Sequence, residues 1–93
     1  MYKLVYLLSI YLSVNLVYAN EVIIQSTTST RDSGLYSFLL PKYPEFSTTN
    51  IKVIAVGTGQ AILNAKNCDG DILIVHDKSR EDEFMQNGFG TIR

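Results

Sequence analysis

Residues 26–30, Ser-Thr-Thr-Ser-Thr, set five hydroxyl side chains in a row, followed by Arg31, Asp32, Ser33 and Gly34. A hydroxyl can donate a hydrogen bond without bringing charge. A cluster of such donors suits a fully deprotonated tetrahedral oxyanion, whose oxygens only accept. A protonated phosphate would also need an acceptor, usually a carboxylate. Asp32 is at hand, but its place just before Ser33-Gly34 fits a helix cap better. Hydroxyls also cap helices and satisfy turns, yet one or two suffice for that, so five in succession point beyond capping. A second stretch, Gly57-Thr58-Gly59, combines glycines that admit a ligand close to the backbone with a further hydroxyl. The candidate oxyanion-binding residues are therefore Ser26, Thr27, Thr28, Ser29, Thr58 and Gly59.

Other residues could carry different chemistry. Gly57-Thr-Gly-Gln-Ala-Ile62 matches the first two glycines of a dinucleotide-binding turn, and Asp77 follows about 20 residues on. Ile62, however, occupies the third glycine position, where close helix–strand packing is needed. A small nucleotide-binding enzyme domain is thus the alternative reading. His76 has no second histidine and no nearby cysteine to share a metal, and reads as a hydrogen-bonding histidine. Catalytic duty would need a nucleophile placed beside it. Arg31 could reach an anion or point to solvent. Cys68 is the only cysteine, so neither an intrachain disulfide nor a cysteine metal cluster can form; it reads as a small half-buried residue. No metal site, cofactor or catalytic residue is expected.

These residues need elements to hold them. Val22–Gln25 is short and β-branched, a strand. Leu35, Phe38 and Leu39 recur at helical spacing within 33–40, and Pro41 and Pro44 stop that helix. Residues 50–56 form a second β-branched strand. Gln60–Lys66 is a short helix with Ala61, Ile62 and Ala65 on one side, ended by the turn residues at 67–70. Residues 71–75 are almost continuously apolar, the pattern of a strand buried on both faces. Ser79 reads as the N-cap of a helix with acids in its first turn, running to about Gln86 and closed by Asn87-Gly88. The charge run Lys78–Glu83 is a solvated helix face, and Tyr36, Phe38, Phe46 and Phe84 are expected in the core. Alternating strands and helices predict an α/β fold with a three-stranded parallel sheet. In such sheets ligands bind beyond the carboxyl ends of the strands, where both hydroxyl turns fall. Both turns lead into helix N-termini, whose free N–H groups and positive dipole end attract anions.

The 93-residue chain holds at most one small domain. Lys3, the apolar run 4–18 and Val17-Tyr18-Ala19 have the three-part form of a secretory signal peptide, so residues 1–19 are expected to be removed. A membrane anchor fits less well, because a spanning helix needs about 20 apolar residues and this run carries Ser9, Ser13 and Asn15. The net charge of −1 comes without a basic patch, so no nucleic-acid partner is expected.

Taken in order behind a signal peptide, the blocks "STTSTRDSGL", "VIAVGTGQA" and "GDILIVH" resemble the N-terminal part of the periplasmic tungstate-binding proteins of ABC importers. The likeness runs over residues 22–93. It implies a type II periplasmic-binding-protein fold, in which an oxyanion is held without water between two lobes that close by a hinge. It also implies a periplasmic monomer that delivers tungstate, molybdate or sulfate to a membrane permease. The family's Thr-Thr-Thr-Ser motif falls on Ser26, Thr27, Thr28 and Ser29, with serine for the first threonine. Its second binding turn falls on Gly57, Thr58 and Gly59. Arg31 stands where glutamine is common. Residues 20–93 then correspond to part of lobe one, and the second lobe, which supplies further ligands in that family, has no counterpart here. The chain is accordingly expected to be a fragment.

Overall fold

The structure is a computed structural model that describes residues 20–44 and 48–93. The expected signal peptide and Phe46 lie outside the described residues. The elements, in chain order, are β1 (Glu21–Thr27), α1 (Thr28–Asp32), α2 (Leu35–Leu39), a 3-10 turn (Leu40–Lys42), β2 (Asn50–Val56), α3 (Thr58–Lys66), β3 (Ile72–Leu73) and α4 (Lys78–Gln86). The three strands form one parallel sheet in the order β2-β1-β3, as the alternating pattern predicts.

β1 is the central strand, which explains its burial. Ile24, Gln25, Ser26 and Thr27 are all buried, because helices or loops cover both faces of a central parallel strand. The strand extends two residues past the predicted Val22–Gln25 and so takes in Ser26 and Thr27. It pairs with β2 from Glu21↔Asn50 to Thr27↔Val56.

Gln25 is the polar residue that locks the other side. Its side-chain amide donates to the Asp69 carbonyl at 2.9 Å and its carbonyl oxygen accepts from Asn64 Nδ2 at 3.1 Å. With Ile23 N donating to the Asp71 carboxylate at 2.8 Å, this ties the end of α3 and the start of β3 to the central strand. Gly70 sits so close that a Cβ there would lie 2.8 Å from Gln25 Cγ.

Four expectations are corrected. The strand predicted over 71–75 pairs only at Ile72–Leu73, and Ile72 is 45% exposed. It is an edge strand, so its apolar run does not signal burial on both faces. The helix predicted over 33–40 runs from Leu35 to Leu39, with Gly34 at a left-handed φ of 84° as its N-cap, and tightens into the 3-10 turn at Leu40; the expected burial of Phe38 does not follow. Only Tyr36 of that segment is buried; Phe38 is 66% exposed, with Lys42 Nζ 4.2 Å above its ring. Asp77, not Ser79, caps α4, accepting from Arg80 N at 3.1 Å. Cys68 is exposed rather than half-buried, and its φ of 59° belongs to the turn that ends α3. The apolar face of α3 fits the prediction, with Ala61 and Ile62 buried, and so does Phe84 in α4. Asn87 and Gly88, the latter at φ 80°, close α4 as expected.

Candidate functional site

Register brings the two hydroxyl turns together. Because Thr27 pairs with Val56, β1 and β2 release their chains side by side at the carboxyl edge of the sheet. One chain enters α1 at Thr28 and the other enters α3 at Thr58. Gln25 pairs with Leu73, so His76, three residues farther on, emerges at the same edge.

The six candidate residues divide by what their side chains do. Ser26 is fully buried, and its Oγ is hydrogen-bonded to Tyr36 Oη at 2.6 Å. That contact fixes α2 on the sheet and turns the hydroxyl inward. Thr27 is the N-cap of α1: its Oγ1 accepts from Thr30 N at 3.3 Å and lies 2.8 Å from Thr30 Oγ1. Asp32 does not cap the next helix as predicted: Gly34 takes that position without a side-chain cap, and Asp32 instead pairs with Arg31 at 2.9 Å in solvent. Thr28 and Ser29 are exposed, Thr58 is half-buried and Gly59 is exposed. Neither the Thr28 nor the Thr58 hydroxyl has a hydrogen-bond partner among the described residues. Ser29 Oγ contacts His76 Nε2 at 2.9 Å and Thr27 Oγ1 at 3.2 Å. The turns thus bring Thr28, Ser29, Thr58 and Gly59 to one edge, while Ser26 and Thr27 hold the frame.

α3 adds backbone donors. Its N-cap, Gly57, offers no side-chain cap, and its first turn holds no acid. The leading N–H groups of a nine-residue helix are therefore left for solvent or a ligand. Arg80, on the first turn of α4, was hidden in the solvated charge run. Its Nη1 would stand 3.7 Å from a Cβ at Gly59, so a guanidinium flanks this turn. Its Nε also pairs with Asp77 at 3.3 Å. Sequence alone gave no signal for that approach, which depends on how α4 packs.

The arrangement of Ser29 beside His76 is that of a nucleophile and a base. Among the described residues no carboxylate hydrogen-bonds the other ring nitrogen, so the orienting member of a catalytic triad is missing. The dinucleotide reading fares worse. Ile62 is buried where the third glycine should admit a close backbone, and Asp77 is engaged as a helix cap.

Hydroxyl and backbone donors thus meet at the carboxyl edge of a parallel α/β sheet, with no acid in the first turn of α3. The chain belongs to the PBP superfamily, whose domain model matches residues 18–93. It is 46% identical over 73 residues to the tungstate-binding protein TupA of Peptoclostridium acidaminophilum, covering 78% of this chain and 26% of that protein. The tungstate-binding protein TupA of Campylobacter jejuni is 43% identical over 65 residues, covering 70% of this chain and 24% of that one. Among solved structures, the tungstate-binding protein TupA from Desulfovibrio alaskensis G20 superposes with a TM-score of 0.73 at 40% identity, covering 81% of this chain and 30% of its own. The chain therefore spans about a quarter of the length of these curated relatives.

Proposed function

We propose that these residues are part of the first lobe of an exported solute-binding protein. Its ligand is a tetrahedral oxyanion, with tungstate first and molybdate and sulfate as competitors, and it hands that ligand to the membrane permease of an ABC importer. It acts by binding rather than by catalysis. The observation that carries the reading is the meeting of the unpartnered hydroxyls of Thr28 and Thr58 with the uncapped start of α3 at one sheet edge. A dianion stripped of water needs several such donors at once, and charge-assisted hydrogen bonds are the strong ones. The names of the similar tungstate-binding proteins support the choice of anion.

Calorimetric titration of the full gene product with tungstate, molybdate and sulfate tests this. A hydrogen bond to a charged group contributes about 1.5–3 kcal/mol, so Thr58→Val and Ser29→Ala should each weaken binding roughly tenfold to a hundredfold. If both variants bind all three anions as well as the parent, the two turns are only structural. Export carries its own check. Processing after Ala19 leaves Asn20 as the first residue of protein recovered from the periplasm, and N-terminal sequencing that reads Met1 instead would remove the export step.

A further inference from the structure

We propose that His76 is a positioning residue for anion binding: by donating from Nε2, it leaves the Ser29 hydroxyl proton free for the ligand. The inference rests on the oxyanion reading of the site. Ser29 Oγ lies 2.9 Å from His76 Nε2 and 3.2 Å from Thr27 Oγ1, and Thr27 Oγ1 already accepts from Thr30 N. A serine hydroxyl has one proton and two lone pairs. If Nε2 is bare, Ser29 must spend its proton on the imidazole, and it then offers only lone pairs to an anion whose oxygens also only accept. If Nε2 carries hydrogen, it donates into a Ser29 lone pair and the serine proton turns outward.

Two forms of the ring meet that condition, the neutral Nε2–H tautomer and the imidazolium. The imidazolium also sets a positive charge one hydroxyl away from the ligand. Anion binding and protonation of His76 then favour each other reciprocally. The surrounding ionisable groups are paired with one another, including Arg80, whose guanidinium also flanks the Gly59 turn. On α1, Arg31 pairs with Asp32; at the start of α4, Asp77 pairs with Arg80 and Lys78 with Asp82. The carboxyl ends of β1 and β2 and the first turn of α3 carry no ionisable side chain. His76 is thus the group at this edge whose proton can follow the ligand.

The test has two arms on the full gene product. In the first, long-range nitrogen–proton NMR reads the His76 tautomer with and without tungstate. Hydrogen on Nε2 supports the inference, and a neutral Nδ1–H ring in the tungstate complex overturns it. In the second, tungstate affinity is measured between about pH 6 and pH 8, where imidazole changes charge. The parent should bind more tightly at the lower pH. His76→Phe should bind at least about tenfold more weakly, with a flat pH profile. His76→Gln, which keeps a donor, should recover much of the affinity without the pH dependence. Parent-like affinity and pH profile in His76→Phe would overturn the proposal. If the parent binds no oxyanion at all, the reading of the site falls. The donor direction at Ser29 is then decided by the tautomer in the unliganded protein.

Discussion

At the scale of single residues, the five consecutive hydroxyls are not one kind of group. Strand period separates them: Ser26 follows Ile24 on one face of the buried β1, and its Oγ meets Tyr36 Oη at 2.6 Å inside the molecule. Ser26→Ala should therefore cost stability rather than affinity. It leaves the Tyr36 hydroxyl buried without a partner, a loss of about 1–3 kcal/mol. Tyr36→Phe alone should do similar damage, and the double variant should be milder than the two losses added, because it removes both polar partners together. Urea unfolding of the four proteins in the full gene product checks this. Additive losses would mean that the two groups do not share a bond. The division was half legible in the sequence. A hydroxyl run before a helix announces donors, but which of them face the core depends on where the strand ends. Extending the strand by two residues is what gives the Ser26 and Thr27 side chains their contacts within the frame.

At the scale of elements, the joints that aim the site are Gln25 with Gly70 and Asp77 with α4. Gln25 is held at both ends of its amide, so it cannot swing away from a methyl group placed at residue 70. Gly70→Ala should cost about 1–3 kcal/mol as an overpacking change, read as a lower urea midpoint at unchanged slope. At the other joint, Asp77→Ala should cost about 1 kcal/mol through the lost cap, while Ser79→Ala should be close to neutral. Equal effects would return the cap to Ser79. α4 also has a pH-sensitive tether. The Lys78 ammonium hydrogen-bonds the Asp82 carboxyl and holds it below the ordinary carboxylate range. Desolvation opposes that effect, and the charges of Lys78 and Arg93 add to it. A depressed folded value means that the stabilisation is complete above the unfolded value and fades as pH falls through the folded one. The Arg93 contact to Asp82 should therefore loosen only in acid below the ordinary carboxylate range, seen as a change in the Arg93 side-chain NMR shifts. The existence and type of the elements were legible because apolar spacing and turn residues are local. The exposure of Phe38, the shortness of β3 and the cap at Asp77 depend on packing and backbone geometry that composition does not reveal.

At the scale of the whole molecule, the described core is thin for what it must hold. Its buried hydrophobic residues are Ile24, Tyr36, Ala61, Ile62, Val75 and Phe84, one of them an alanine. Against these stand Leu35, Phe38, Leu63, Ile72, Phe89 and Ile92, all large and exposed. Burying one such side chain contributes about 1.5–3 kcal/mol, so leaving several in water forfeits an amount comparable to the about 5–15 kcal/mol that stabilises an ordinary domain. The parallel order β2-β1-β3 was legible from the alternation of strands and helices. The incomplete cover was foreshadowed by the small number of strands, although the sequence pattern assigned β3 to the interior. Residues 20–93 expressed alone should therefore melt over a broad range and bind hydrophobic dyes before heating. A gene product in which further chain covers these faces should melt cooperatively. Saturating tungstate should stabilise such a product by about 2.7 kcal/mol at a hundred times the dissociation constant, which raises its Tm measurably. The isolated segment, with an unfastened frame behind Thr28, Ser29 and Thr58, should show no such rise. A sharp, tungstate-sensitive transition in residues 20–93 alone would mean that the three strands and their short helices already form a complete anion-binding unit.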